Sequence, residues 1–276
     1  MTFNSDSRLP TPETFNIGLG TYKLKPEQAY TIVRMALDIG YRHIDTASLY
    51  RNERAVGDAI KDSPIDRHLI TVTTKISKKD ILKGNLQNAI EKSLKKLDLG
   101  YIDRLLLHTP DGDIKSTWSC FSSLHQNQYR SLVKEIGVSN YQQCHLESIL
   151  QLDLPRPIVN QIEMSPFLPR HQLREYCLEQ NIGVEAHSCL TKGKLLNDPL
   201  LLEIIDRFFP QGDITPANLL LQWALHHQVK VIPRSSQFSH LQANFNLPPL
   251  TLSSDLLKAM SKLDRGFSTH PQHLFY

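Results

Sequence analysis

Cysteine is scarce in this chain of 276 residues: there are four, Cys120, Cys144, Cys177 and Cys189, and no two stand at metal-site spacing. That excludes a zinc ribbon or a disulfide-stapled scaffold, and reduced thiols in a cytoplasmic protein are the expectation, with no metal. No apolar run approaches the length of a membrane span. The polar N-terminus has neither the apolar centre of a signal peptide nor a basic amphipathic helix. No run of Lys and Arg stands out, and the formal net charge is only +3. That argues against a nucleic-acid partner and is compatible with a small anionic ligand. Lys78-Lys79 and Lys95-Lys96 read as solvated faces. No linker or low-complexity stretch divides the chain, so one domain over 1–276 is expected, with an N-terminal arm or hairpin over 1–15 and a short tail over 266–276.

What is present is alternation. A short apolar strand over 16–21 ends in Gly18-Leu19-Gly20-Thr21, where glycines let a ligand or another backbone come close. Pro26 suits a first helical turn; Ala29, Ile32, Val33, Ala36 and Leu37 recur at helical spacing, and Gly40 ends the helix. The unit then repeats. Strands are expected over 43–45, 69–75, 102–108, 133–138, 158–163, 183–187 and 229–233. Helices are expected over 53–60, 85–97, 116–125, 144–150, 170–180, 200–208, 216–226, 239–244 and 253–263, with Asn52 capping the first of these. Trp118 reads as a core aromatic. Strands that are continuous apolar runs are buried on both faces, so the sheet is parallel and covered by helices. About eight such units in this length favour an α/β fold of the closed (β/α)8 TIM-barrel type over an open doubly wound sheet. No G-x-G-x-x-G opens a helix, so any dinucleotide is not held in the Rossmann manner.

In such a barrel the chemistry gathers where strands end and βα loops begin. Those positions carry Asp45, Lys75, His108, Ser139-Asn140, Asn160-Gln161, His187 and Arg234-Ser235, with Tyr50 just beyond Asp45. Taken singly, each is ordinary. Strand ends are commonly polar, a lone lysine is usually a solvated amine, and a lone histidine is usually satisfied locally. Asp, Tyr, Lys and His on three consecutive connections would converge on one cleft.

Several stretches in order resemble the aldo-keto reductase family from Gly18 to about Leu263. They are Gly-Leu-Gly-Thr at 18–21, Gly-Tyr-Arg-His-Ile-Asp-Thr-Ala at 40–47, Tyr50 with Asn52-Glu53, and Thr74-Lys75. They continue with Leu-Leu-Leu-His at 105–108, Gly-Val-Ser-Asn at 137–140, Asn-Gln-Ile-Glu at 160–163 and Ile-Pro-Arg-Ser at 232–235. The resemblance implies that Asp45, Tyr50, Lys75 and His108 are the catalytic tetrad. The residue types suit carbonyl reduction by hydride, which leaves an alkoxide in need of a proton. Tyr50 can supply it, although a free phenol titrates at about 10. A nearby ammonium on Lys75 would make Tyr50 a better acid. Asp45 would offset and fix Lys75, and His108 would orient the carbonyl oxygen.

The resemblance also implies a nicotinamide cofactor, NADPH first and NADH as the alternative. Gly20 and Thr21 would lie near it. Ser139, Asn140 and Gln161 would hold the carboxamide, since such side chains both donate and accept. His187 stands where the family uses a stacking aromatic, and Ser188 follows it. Cys189 replaces a proline, and Leu190, Lys192 and Leu195 would cover the pyrophosphate. Arg234, Ser235 and Ser236 suit a 2′-phosphate, because a guanidinium presents a fork of donors. His240 stands where an arginine is usual and Ala243 where a carboxylate is usual, with Asn244 next to it; these departures weaken the preference for NADPH.

Tyr22 and Thr109 are the expected substrate contacts. The connection 109–118 and the tail 266–276 are short, so the site is expected to be open and to accept small aldehydes, ketoaldehydes or sugar-derived carbonyls. The chain is similar to the microbial branch that includes diketogluconate and methylglyoxal reductases, and monomer is that family's habit. Two other readings stand beside this one. A non-catalytic cofactor-binding sensor on the same scaffold would explain the altered phosphate-end positions and His187. An isomerase or aldolase using Lys75 as a Schiff-base amine would leave Tyr50, Asn140 and Gln161 without a joint purpose.

Overall fold

The computed structural model describes residues 16–274; the arm or hairpin expected over 1–15 lies outside them. The chain runs β1 (Leu19–Gly20), α1 (Pro26–Ile39), β2 (His43–Asp45), α2 (Glu53–Lys61), β3 (Thr71–Ile76), α3 (Lys78–Leu82), α4 (Leu86–Leu97), β4 (Ile102–Leu107) and α5 (Ile114–Leu124). It continues with β5 (Val133–Ser139), α6 (Gln143–Leu150), β6 (Val159–Glu163), α7 (His171–Glu179), β7 (Gly183–His187), α8 (Pro199–Phe208), α9 (Pro216–His226), β8 (Lys230–Val231), α10 (Phe238–Phe245) and α11 (Ser254–Met260).

Eight parallel strands pair in sequence order. The sheet closes on itself: Ile17 bridges Val231, the Gly18 amide donates to the Val231 carbonyl at 2.8 Å, and the Gly20 amide donates to that of Pro233 at 3.1 Å. The fold is a (β/α)8 barrel. A Cβ on Gly20 would lie 2.7 Å from the Ile232 carbonyl oxygen, so this glycine admits the neighbouring strand's backbone. Closure buries both faces of the sheet. Leu19, Ile44, Val72, Leu105, Leu106, Leu107 and Val138 are all at 0% exposure, which is why the strands read as unbroken apolar runs.

Helix α1 shows the local logic. Pro26 opens it, its buried face is Ala29, Ile32, Val33, Ala36 and Leu37, and Gly40 ends it at φ 125° with its amide returned to the carbonyls of Ala36 and Leu37. Trp118 is fully buried on α5, as expected. Three details differ from expectation. Helix α3 fills the start of the long β3–α4 connection, capped by Ser77, whose hydroxyl accepts from the Asp80 amide. Strand β8 is only two residues long, and Pro233 beyond it has no N–H to give a ladder. Asn52 precedes α2 but its side chain does not cap it. Its amide donates to the Thr21 and Leu24 carbonyls at 3.0 and 3.1 Å and accepts from the Thr46 hydroxyl at 2.7 Å, tying the β1 and β2 loops together. A cap would need its Oδ1, and the buried Thr46 hydroxyl holds that oxygen instead.

Candidate active site

Period-two alternation along β3 decides which side chains enter the barrel. The Thr74 hydroxyl points out and donates to Glu53 on α2 at 2.8 Å. Thr73 and Lys75 point in. Thr73 meets His43 at 3.0 Å, and Lys75 Nζ donates to both oxygens of Asp45 at 2.6 and 2.7 Å and to the Thr46 carbonyl at 3.2 Å. Asp45 and Lys75 are 2% and 1% exposed, so the pair is desolvated and its geometry is fixed. Burial pulls the Lys75 ammonium downward, but the charges of Asp45, Tyr50 and Glu185 carry it above the ordinary lysine value. It is a charged lysine throughout the physiological range.

Tyr50 ends the 3-10 turn Ser48–Tyr50, which Arg51 closes in the left-handed region at φ 59°. The turn is anchored by the Ser48 hydroxyl, which donates to the Lys75 carbonyl at 2.8 Å. Lys75 Nζ lies 5.3 Å from the centre of the Tyr50 ring. The His108 ring stands edge-on to Tyr50 at 5.8 Å. The four residues therefore meet at one rim. Burial pushes the Tyr50 phenol up to about 12, with Lys75 opposing. The expected gain in acidity from Lys75 is present but is outweighed by desolvation. Burial, with Lys75 second, depresses His108 to about 3, so its imidazole is neutral, and its Nδ1 is buried without a hydrogen-bond partner among the described residues. A neutral imidazole edge-on to Tyr50 can donate through one ring nitrogen to a carbonyl oxygen.

The tail closes more of the mouth than its length suggests. The Glu163 carboxylate accepts from the Ser268 hydroxyl at 2.5 Å, the Thr269 amide at 2.7 Å and the His270 amide at 3.2 Å. Gln142 donates to the His273 carbonyl at 2.8 Å. His270 thereby sits between Tyr22 and His187, with ring separations of 6.1 and 5.9 Å, and meets Lys192 Nζ at 2.8 Å. Tyr22 in turn lies 5.1 Å from Tyr50. His270 therefore forms one wall of the site that the short loops are expected to leave open. Glu163 stands in plain view at the end of the Asn-Gln-Ile-Glu stretch, but nothing local pairs it with residues 105 to 107 positions away.

Compared with known families, residues 14–265 match the aldo/keto reductase family. The chain belongs to the aldo/keto reductase family. The glyoxal reductase of Bacillus subtilis is 35% identical over 264 residues, covering 94% of this chain and 93% of the relative. The methylglyoxal reductase DkgB of Escherichia coli O157:H7 is 35% identical over 249 residues, covering 90% and 92%. The crystal structure of MGS-M4, an aldo-keto reductase from a Medee basin deep-sea metagenome library, superposes with a TM-score of 0.84 at 35% identity, covering 96% of this chain and 95% of that one. This aldo/keto reductase is thus an oxidoreductase acting on carbonyls, within the microbial glyoxal and methylglyoxal reductase branch, and its family uses a nicotinamide cofactor.

The residues expected to hold that cofactor fall into three groups. At the ends of β5 and β7, Asn140 donates to the His108 carbonyl at 3.0 Å and the Ser139 hydroxyl at 3.1 Å, and its Oδ1 lies 2.9 Å from His187 Nε2. Ser188 Oγ is 3.2 Å from His187 Nδ1 and Leu190 follows, both half-buried. These form one cluster beside the tetrad. Gln161 touches this cluster through its backbone carbonyl, which accepts from the Ser139 hydroxyl and the Asn140 amide, both at 2.9 Å, while its side-chain nitrogen turns into the barrel and donates to Asp45 at 2.8 Å and Glu185 at 2.7 Å. Thr21 is likewise engaged, its hydroxyl and amide both donating to the Asp45 carbonyl. At the start of α10, Arg234 is exposed with its Nη1 3.5 Å from Ser236 Oγ, and His240 is exposed one turn on. Ser235 and Asn244 are buried, and the Ser235 hydroxyl accepts from the Gln237 amide. Thr109 is buried and donates to Asp111, a partner of Lys78. Among the described residues no helix is long and apolar enough to cross a membrane.

Proposed function

We infer that this aldo/keto reductase reduces small aldehydes and ketones to alcohols with NADPH, and that Tyr50 delivers the proton. The observation that carries this reading is the buried Asp45–Lys75 pair directly beneath Tyr50 and beside a neutral His108. When bound, the cofactor supplies a hydride to the carbonyl carbon. The chain's own residues do the rest. His108 offers an imidazole nitrogen to the carbonyl oxygen and orients it. Tyr50 transfers its hydroxyl proton to that oxygen as it becomes an alkoxide, and Lys75 stabilises the phenolate left behind. Asp45 holds Lys75 in place and balances its charge. Tyr22, His270 and the Tyr50 ring exclude water from one side of the mouth.

The donor set fits a phosphate-bearing dinucleotide at two ends. Ser139, Asn140 and His187 offer amide-binding and stacking groups beside the tetrad. An exposed guanidinium with a hydroxyl at the α10 end suits a 2′-phosphate. Gln161 stays in the amide-holding set with its Oε1 as the acceptor, its Nε2 being taken by Asp45 and Glu185. Arg234→Ala is expected to raise the dissociation constant for NADPH by roughly tenfold while leaving NADH within a factor of about two, because a charged hydrogen-bonded pair is worth roughly that. Fluorescence titration with each cofactor checks it, and an equal loss for both would place the 2′-phosphate elsewhere.

The reading as a whole is tested by nicotinamide absorbance with a panel of small aldehydes including methylglyoxal. Turnover with NADPH is the expected result. Tight NADPH binding with no turnover on any carbonyl would replace it with the non-catalytic cofactor-binding reading.

A further inference from the structure

Beneath the tetrad the barrel axis holds a second acid that the reaction as described does not use. Glu185, on β7, is 1% exposed. Its Oε2 accepts from Gln161 Nε2 at 2.7 Å, and the same nitrogen donates to Asp45 Oδ2 at 2.8 Å. One amide therefore bridges two buried carboxylates, reaching across the barrel interior from β6 to β2. The other oxygen, Oε1, makes no hydrogen bond among the described residues, with His43 Nδ1 at 3.5 Å and Arg104 Nη1 at 3.8 Å. A buried carboxylate left partly unsatisfied is costly, so its retention calls for a role.

We propose that Glu185 is a positioning residue for the reaction: through the Gln161 amide it fixes the Asp45 carboxylate under Lys75, and it places a second negative charge below the Lys75–Tyr50 couple. The role presupposes the carbonyl-reduction reading. The polar and charged groups facing Glu185 come from five strands. Asp45 and His43 lie on β2, Lys75 on β3, Arg104 on β4, Gln161 on β6 and Lys230 on β8, with Glu185 paired in register to both Gln161 and Lys230. His43 carries no charge at neutral pH, because burial, with Arg104 second, holds it near 3. Arg104 is shared with Glu135 of β5, which it meets at 2.9 Å. The charge balance below Lys75 is thus set by Glu185 against Arg104 and Lys230.

The sign follows from Coulomb's law. Removing the Glu185 charge makes it easier for the Lys75–Tyr50 couple to lose a proton, and removing Arg104 makes it harder. In Glu185→Gln, which keeps the shape and an acceptor for Gln161, the basic limb of the kcat profile moves to lower pH by about half to one unit. Its kcat falls by roughly three- to tenfold with KM for the carbonyl unchanged. In Arg104→Gln the basic limb moves to higher pH. Opposite displacements are not the signature of a merely loosened barrel. If Glu185→Gln fails to fold, the direction of the Arg104→Gln limb decides. Limbs that stay with the wild type, or that move the same way in both variants, overturn the role of Glu185. A wild-type chain without turnover overturns the reductase reading itself, so the two failures are distinct.

Discussion

Tyr50→Phe is expected to lower kcat for carbonyl reduction by about two to four orders of magnitude, the usual worth of a positioned proton donor. The substitution removes one hydroxyl and keeps the ring that packs between Tyr22 and His108. Folding, NADPH affinity and carbonyl KM should therefore stay near wild type. The phenol sits in a site where burial, opposed by Lys75, still raises it to about 12. Water is too weak and too disordered an acid to replace it there. Steady-state kinetics of the purified variant, with binding followed separately by fluorescence, checks the outcome. Turnover within a factor of about three of wild type would remove Tyr50 as the proton donor, since loss of a positioned general acid is worth far more.

Lys75→Met acts on both stability and rate. It deletes the ammonium that donates to both Asp45 oxygens and leaves that carboxylate buried with Gln161 as its remaining side-chain donor. Breaking one side of a buried pair in this way costs about 3–5 kcal/mol. The pH dependence has a definite sign. Burial already holds the Asp45 carboxyl above its ordinary value with Lys75 opposing, and without the ammonium its folded pKa rises further above the unfolded one. The penalty is then fully present above the folded pKa and relieved as pH falls through it, because the neutral acid tolerates burial. The variant should gain stability relative to wild type on acidification from neutral pH, and it should lack reductase activity at every pH. Urea unfolding at several pH values reads the first, and the aldehyde assay reads the second. A variant as stable as wild type at neutral pH would show that the pair carries no such penalty. Asp45→Leu in the Lys75→Met background should recover part of the loss, since a well-packed apolar pair avoids the desolvation altogether.

The second prediction rests on a residue that the strand pattern marks out by itself, and the first on the turn that follows β2. Asp45, Lys75 and His108 each close an apolar strand, and that placement is local: the strand pattern and the turn after it are set by a few neighbouring residues. The same holds for α1, whose Pro26 and Gly40 mark its ends, and for the sequential order of eight parallel strands. Other features are illegible in the sequence because they depend on competition among partners distant along the chain. Asn52 has the chemistry of a helix cap, yet the Thr46 hydroxyl takes the oxygen that a cap would use, and two carbonyls of the β1 connection take its amide nitrogen. Gln161 has the chemistry to bind an amide, yet a carboxylate 116 positions away and another 24 away claim its donors. The tail is short, but Glu163 holds Ser268, Thr269 and His270 across the mouth.

The order of the four residues along the chain and the alternation of strands with helices belong to the sequence alone, because strand and helix periodicity and strand-end polarity are short-range properties. Tertiary structure alone decided how those groups behave. Burial outweighs the lysine's pull on the Tyr50 phenol, a glutamine joins Asp45 to Glu185 through the barrel axis, and His270 walls the entrance. Desolvation and long-range hydrogen bonding are properties of the assembled interior, and no window of residues contains them.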